Sequence, residues 1–205
     1  MLLKTLTSLS LVSISTVLAV SPISSPQLPP QWLSTGETDE DGCWLIPQER
    51  EDIEAQTSRI VSTKWGDGLN AMDGNSVRHG NCLNESPSQC NWKFKYCMQT
   101  TVYDHTEHDV FAMQSEYYPD DWLNAGSAGS MSHSNPGGDV CEATNSYKWM
   151  IFYAACVDRW YLLSLSYLDW LKAGNAKTVS HSDCNVEDPY RSDGGCSNMR
   201  NFYFY

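Results

Sequence analysis

Eight cysteines constrain this chain of 205 residues more than any other feature: Cys43, Cys82, Cys90, Cys97, Cys141, Cys156, Cys184 and Cys196. All follow an N-terminal stretch with the layout of a secretory signal. A short region ending at Lys4 leads into apolar and small residues from Thr5 to Leu18, then a cleavage pattern at Val17-Leu18-Ala19. The run is too short to cross a hydrocarbon core of about 30 Å, which takes about 20 apolar residues, and Val20-Ser21-Pro22 ends it. An exported chain folds where thiols oxidise, so an even set of cysteines reads as disulfides. Each bridge contributes about 2–4 kcal/mol, mainly by restricting the unfolded chain. All eight are expected in disulfides, with the connectivity open. Zinc thiolates are disfavoured because no Cys-x2-Cys pair occurs; the nearest spacings are Cys82 to Cys90 and Cys90 to Cys97. A glycosylation sequon, Asn84-Glu85-Ser86, is followed by Pro87 and so makes a poor acceptor.

The charge balance narrows the partners. Thirteen Lys and Arg stand against 25 Asp and Glu, for a formal net charge of −12. Such a surface repels phosphate, which argues against nucleic acid and against docking on anionic lipid. The expected location is secreted and extracellular, with no membrane span and with entry into host cells left open. The expected state is a monomer without a cofactor.

Three regions are predicted. Residues 1–19 are the signal peptide, 20–38 a linker or pro-segment carrying Pro22, Pro26, Pro29 and Pro30, and 39–205 one disulfide-rich domain. Residues 48–64 read as a helix opened by Pro47, with Glu49, Glu51 and Asp52 at its positive end. Ile53, Thr57, Ile60 and Val61 give it a narrow apolar stripe; a processing cut at Arg50 is the competing reading of its start. Residues 65–88 read as turns. Strands are expected over 92–103, with a hairpin partner over 109–118, and over 147–157 and 202–205; over 160–170 Tyr161, Leu163, Leu165 and Tyr167 fit a strand, the preferred reading, while Trp160, Leu163, Tyr167 and Trp170 fit a helix. Residues 124–139 read as a Gly/Ser-rich loop. No internal repeat is evident. The expected fold is α+β, mainly antiparallel β with one N-terminal helix packed on a sheet, braced by disulfides.

Chemical signatures are few. The sequence holds no Gly-x-Ser-x-Gly elbow, no His-Glu-x-x-His and no phosphate-binding Gly-x4-Gly-Lys loop. The densest polar cluster runs from Asp104 to Asp109. Within it His105, Glu107, His108 and Asp109 are a candidate metal set or acid–base pair, against the plainer reading of a solvated turn. Carboxylates beside indoles at Trp65-Gly66-Asp67, Asp120-Asp121-Trp122 and Asp169-Trp170 fit sugar chemistry, since indole faces stack on sugar rings. Cys90 with His105 or His108 resembles the nucleophile text of secreted amidases, but an even cysteine set leaves no reduced thiol. His79, His133 and His181 sit among polar residues and read as surface imidazoles.

Signal peptide, Pro/Ser-rich start, eight cysteines, acidic charge and an aromatic, β-rich body together resemble the small secreted cysteine-rich effectors and toxins of filamentous fungi. That resemblance implies a protein that promotes virulence by binding a host or competitor protein or glycan, with no catalytic residues carried over. A small secreted hydrolase acting on polysaccharide is the alternative.

Overall fold

A period of two, and not of 3.6, organises most of the chain. The computed structural model describes residues 45–54, 56–81, 87–101, 107–156, 158–182 and 202–204. Leu45–Pro47 is strand β1, Arg50–Ile53 a single helical turn α1, and Thr57–Ser62 strand β2. The expected helix over 48–64 is therefore replaced by one turn and a strand. Thr57, Ile60 and Val61 are β-branched and favour the pleat. In β2, Ser58, Ile60 and Ser62 are buried while Thr57, Arg59 and Val61 are half-buried. Helix α1 has no side-chain cap from Glu49; its first N–H, on Arg50, donates instead to an Asp109 carboxylate oxygen at 2.7 Å.

Eleven more strands follow among the described residues, and they repeat one scheme. Gly68–Met72 (β3) and Ser76–Gly80 (β4) form a hairpin, and Asn91–Thr101 is β5. Glu107–Ser115 is β6, Trp122–Ala125 and Met131–Ser134 the hairpin β7–β8, and Trp149–Ala154 is β9. Arg159–Ser164 is β10, Trp170–Ala173 and Val179–Ser182 the hairpin β11–β12. Phe202–Phe204 is β13.

The pairing closes. Antiparallel contacts run β2–β5, β5–β6, β6–β9, β9–β10 and β10–β13, and β13 returns to β2. Six strands thus form a barrel without an edge. The three hairpins cover one end and touch one another through single bridges. Ser76 meets Ser132, Ser130 meets Ser180, and Thr178 meets Arg78, so the ring of hairpins also closes. Residues 57–101, 107–154 and 159–204 are three copies of a four-stranded unit.

The core is what an alternating pattern from all units produces. Ile60, Trp92, Phe94, Phe111, Met113, Trp149, Ile151, Trp160, Leu162, Phe202 and Phe204 are buried in one cluster with the hairpin residues Leu69, Leu123 and Leu171. Each such side chain gains about 1.5–3 kcal/mol on burial. Trp160 and Phe204 stack at 4.5 Å between ring centres. Trp92 Nε1 donates to the Leu69 carbonyl at 2.8 Å and Trp149 Nε1 to the matching Leu123 carbonyl at 3.4 Å. A second cluster outside the barrel, including Val110, Phe152, Tyr161 and Trp170, lies beneath Leu45 of β1.

Several expectations need correcting. Among the described residues the fold is nearly all β, with one four-residue α-helix where a helix packed on a sheet was expected. Residues 65–88 and 124–139 contain hairpins, not only turns and loop. Their strands were hidden because Ser, Asn, Arg and Gly interrupt the apolar positions, and each is only four or five residues long. The chain is repetitive where no repeat was seen. Cys97 is bonded to Cys141, tying β5 to the segment before β9, and Cys90 and Cys156 are also disulfide-bonded. Cys43, Cys82, Cys184 and Cys196 lie outside the described residues, as do Asn84, Asp104 and His105.

Candidate functional site

The three capping hairpins carry the same spelling. Asp67-x-Leu69-x-Ala71 leads to His79, Asp121-x-Leu123-x-Ala125 to His133, and Asp169-x-Leu171-x-Ala173 to His181. Leu and Ala face the barrel core. The histidine lies two residues beyond Val77, Met131 or Val179, so the pleat turns it inward as well. All three imidazoles are buried, which corrects their reading as surface groups.

Each histidine is held at both ring nitrogens. Nδ1 meets its own unit's aspartate: His79 with Asp67 at 3.1 Å, His133 with Asp121 at 2.8 Å, His181 with Asp169 at 2.9 Å. Nε2 donates to a carbonyl of a neighbouring unit. His79 reaches Gly174 at 2.8 Å, His133 reaches Met72 at 2.7 Å, and His181 reaches Gly126 at 2.6 Å. Those acceptors stand five residues past each aspartate, so the ring of contacts passes from every unit to the next. These are locks between units, fully hydrogen-bonded as buried polar groups require.

The outer face of each lock carries an aromatic ring. Trp65 stacks on His79 at 5.8 Å between centres, Tyr118 on His133 at 4.7 Å, and Tyr167 on His181 at 4.6 Å. Trp65 is 40% exposed and Tyr167 41% exposed. The aspartates keep part of their surface open, 26%, 19% and 14% for Asp67, Asp121 and Asp169. A solvent-facing ring beside a fixed carboxylate is the arrangement that grips a sugar, the ring taking its C–H face and the carboxylate its hydroxyls. The three carboxylate–indole segments picked out in the sequence thus fall one in each unit. Asp67, Asp121 and Asp169 each meet the histidine of their own unit at its Nδ1 and stand beside its stacked ring.

The three sites are not equally available. Trp65 donates its Nε1 proton to the Ala173 carbonyl at 3.2 Å, and the Lys64 ammonium lies 5.3 Å from its ring centre. Tyr118 gives its hydroxyl proton to Asp73 of the first unit's turn, which pushes its pKa up to about 12. Tyr117 then stands edge-on against it at 4.8 Å. The Tyr167 hydroxyl has no such partner among the described residues, whereas the Oδ1 atoms of Asp67, Asp121 and Asp169 are alike in having none there.

The acidic segment behaves differently. Asp109 faces α1 and accepts the Arg50 N–H. His108 points the other way along β6, its ring 5.6 Å from that of Phe152, and Glu107 is exposed. Strand alternation therefore sets His108 on the face opposite Glu107 and Asp109, and no group of metal-ligating side chains converges among the described residues. Cys90, being in a disulfide, is no nucleophile. The signal that sequence reading missed was the twelve-residue step from Asp to His, repeated three times.

No protein-family model matches the chain, and no curated protein matches it by sequence. Solved structures do. A chain of the cytolethal distending toxin of Actinobacillus actinomycetemcomitans aligns over 72% of this chain and 88% of its own, at 11% identity and a TM-score of 0.51. The corresponding toxin of Haemophilus ducreyi covers 78% and 86%, at 12% identity and a TM-score of 0.50. The structure described as BEL beta-trefoil covers 74% and 92%, at 12% identity and a TM-score of 0.53. At such identities the likeness is one of fold, and it agrees with the closed barrel and its ring of three hairpins: this chain folds as a β-trefoil.

Proposed function

We propose that this is a secreted, toxin-like binding protein whose ligand is a host or competitor glycan, taken up principally at Tyr167 and Asp169. The observation that carries the reading is the difference among three otherwise equivalent posts. In the first two, the aromatic side chain spends its polar atom on a neighbouring unit; in the third, the ring's hydroxyl has no partner among the described residues, beside an aspartate whose Oδ1 is free as it is in the other two. A rigid ring on a buried histidine loses little entropy on binding, which favours affinity from a small contact. The oxidised Cys97–Cys141 pair and the signal-like N-terminus support an extracellular setting. The likeness to toxin chains supports a binding role only through the shared fold.

The test is a glycan array followed by calorimetry on the best ligand, with the secreted protein and its Tyr167→Ala and Asp169→Asn variants. Binding should fall at least about tenfold in Tyr167→Ala, as loss of a stacking ring does, while Trp65→Phe binds as the parent does. Absence of any glycan ligand, or a ligand insensitive to both third-unit changes, would remove the reading.

A further inference from the structure

A second, unrelated pocket lies on the side of the barrel. A cavity of about 200 Å3 opens on the outer face of β5, β6 and β7, lined by Glu54, Lys93, Phe94, Lys95, Gln114 and Trp122. Strand register builds it. Lys93 pairs with Gln114 across β5 and β6, and Gln114 with Trp122 across β6 and β7, so these three side chains form one row. Lys95 is opposite Ala112, whose small side chain leaves room beside the indole.

We infer that this pocket binds a single sugar ring carrying a carboxylate, such as a uronic acid residue. The volume is below the roughly 300–1,000 Å3 typical of drug-sized ligands and suits one ring. Trp122 is half-buried against Ala112, Val140 and Tyr147, which fixes the orientation of its ring. Its indole N–H has no hydrogen-bond partner among the described residues. Gln114 gives an amide proton to the Pro119 carbonyl, so its own carbonyl oxygen is left to accept a hydroxyl proton.

Charge selects the ligand. The Lys95 ammonium is engaged by Asp139 at 2.8 Å, and Glu54 is paired with Arg50. Lys93 is exposed and has no ion-pair partner among the described residues. The pocket therefore holds one uncompensated positive charge, on a protein whose net charge is −12. A neutral sugar leaves that charge unused; a carboxylate beside the ring meets it with a charge-assisted hydrogen bond.

The experiment titrates methyl β-D-glucuronide into the isotope-labelled secreted protein and follows the Trp122 indole N–H resonance, assigned with Trp122→Phe. Methyl β-D-glucoside is the control. A saturable shift is expected with the glucuronide, weakened about tenfold or more by Lys93→Gln and equally weak for the glucoside. Lys95→Gln should have the smaller effect, and Tyr167→Ala none. Equal responses to the two glycosides, no response at the indole, or a response untouched by Lys93→Gln would overturn the inference. Because the readout is the Trp122 signal, it stands or falls apart from binding at Tyr167.

Discussion

The inner and outer faces of the three capping hairpins follow different rules. Inside, the aspartate, histidine and carbonyl positions recur with the same twelve- and five-residue steps, and the hydrogen bonds stay between 2.6 and 3.1 Å. Outside, the stacked ring is Trp65, Tyr118 or Tyr167, with a one-residue insertion before Asp121; Trp65 donates to Ala173, Tyr118 to Asp73, and the Tyr167 hydroxyl to no group among the described residues. Symmetry is kept where the units must fit one another and lapses where they meet solvent. A buried polar network tolerates no half-made bond, whereas a surface ring needs only a flat support. The locks are therefore structural, and the glycan site we propose lies on top of one of them.

Removing a lock is the most damaging way to break that comparison. His133→Ala strands the Asp121 carboxylate and the Met72 carbonyl, and should cost about 3 kcal/mol. His79→Ala and His181→Ala should cost about as much, within the scatter of such values. Urea unfolding of the three variants measures this directly. If one substitution were near neutral, that histidine would not be a structural lock and a role in binding would have to be reconsidered. Asn at the same positions reaches only one of the two partners and should recover part of the loss.

The second unit offers a sharper contrast within a single turn. Each hairpin turns through two left-handed residues: Gly74 and Asn75, Ala128 and Gly129, Ala176 and Lys177. At the second position Asn75 and Lys177 carry side chains, but a Cβ on Gly129 would lie 2.6 Å from the His181 carbonyl oxygen. Gly129→Ala therefore adds a backbone clash to an unfavourable φ and should lose about 2 kcal/mol. Lys177→Ala should stay within about 0.5 kcal/mol. Equal effects at the two sites would mean the hairpin ring does not pack as tightly at the second unit as it does here.

How much of this could be read from the sequence follows from the same division. Strands β5, β6, β9 and β10 were legible because each alternates or runs apolar over six residues or more. Barrel closure was not, since it rests on β13 meeting β2 across more than a hundred residues. The histidines were misjudged because their sequence neighbours are polar; only the step from Val77 to His79, or Val179 to His181, says that both face inward. The repeat was obscured by unequal spacing, 54 residues from Asp67 to Asp121 but 48 from Asp121 to Asp169. The helix over 48–64 failed because its stripe of Ile53, Thr57, Ile60 and Val61 is also a β-branched segment, and the tertiary pairing decided between the two.

Alkaline titration probes the outer face without disturbing the locks. Tyr118 donates to Asp73, and that bond raises its pKa from 10.0 to about 12. The fold thus favours the protonated phenol. Its contribution is complete below the ordinary tyrosine value and is lost as pH rises through the folded one. The tyrosinate absorbance of Tyr118, taken as the difference from Tyr118→Phe, should appear about two pH units after that of an ordinary tyrosine. Asp73→Asn keeps an acceptor but removes the negative charge, and should bring the transition back toward 10.0. No change in that variant would assign the shift to Tyr117 or Asp121 instead.

The smallest expected effect has the opposite sign. Ala176 stands at φ 54° on the exposed tip of the third hairpin, where the first unit has Gly74 at φ 71°. An alanine Cβ in the left-handed region costs about 1–2 kcal/mol relative to the right-handed form. Glycine removes that penalty but loses more chain entropy on folding, worth about 0.5–1 kcal/mol. Ala176→Gly should therefore stabilise, by no more than about 1.5 kcal/mol, and Ala128→Gly at φ 55° by a similar amount. The turn is otherwise closed by its own bonds, Gly174 N–H to the Thr178 carbonyl at 2.8 Å and the Thr178 hydroxyl to the Asn175 carbonyl at 2.8 Å. Those bonds hold the left-handed pair whichever residue occupies it. A loss of stability in Ala176→Gly would mean that the entropy term outweighs the strain. The alanines of units two and three would then be the better turn residues, and Gly74 the exception.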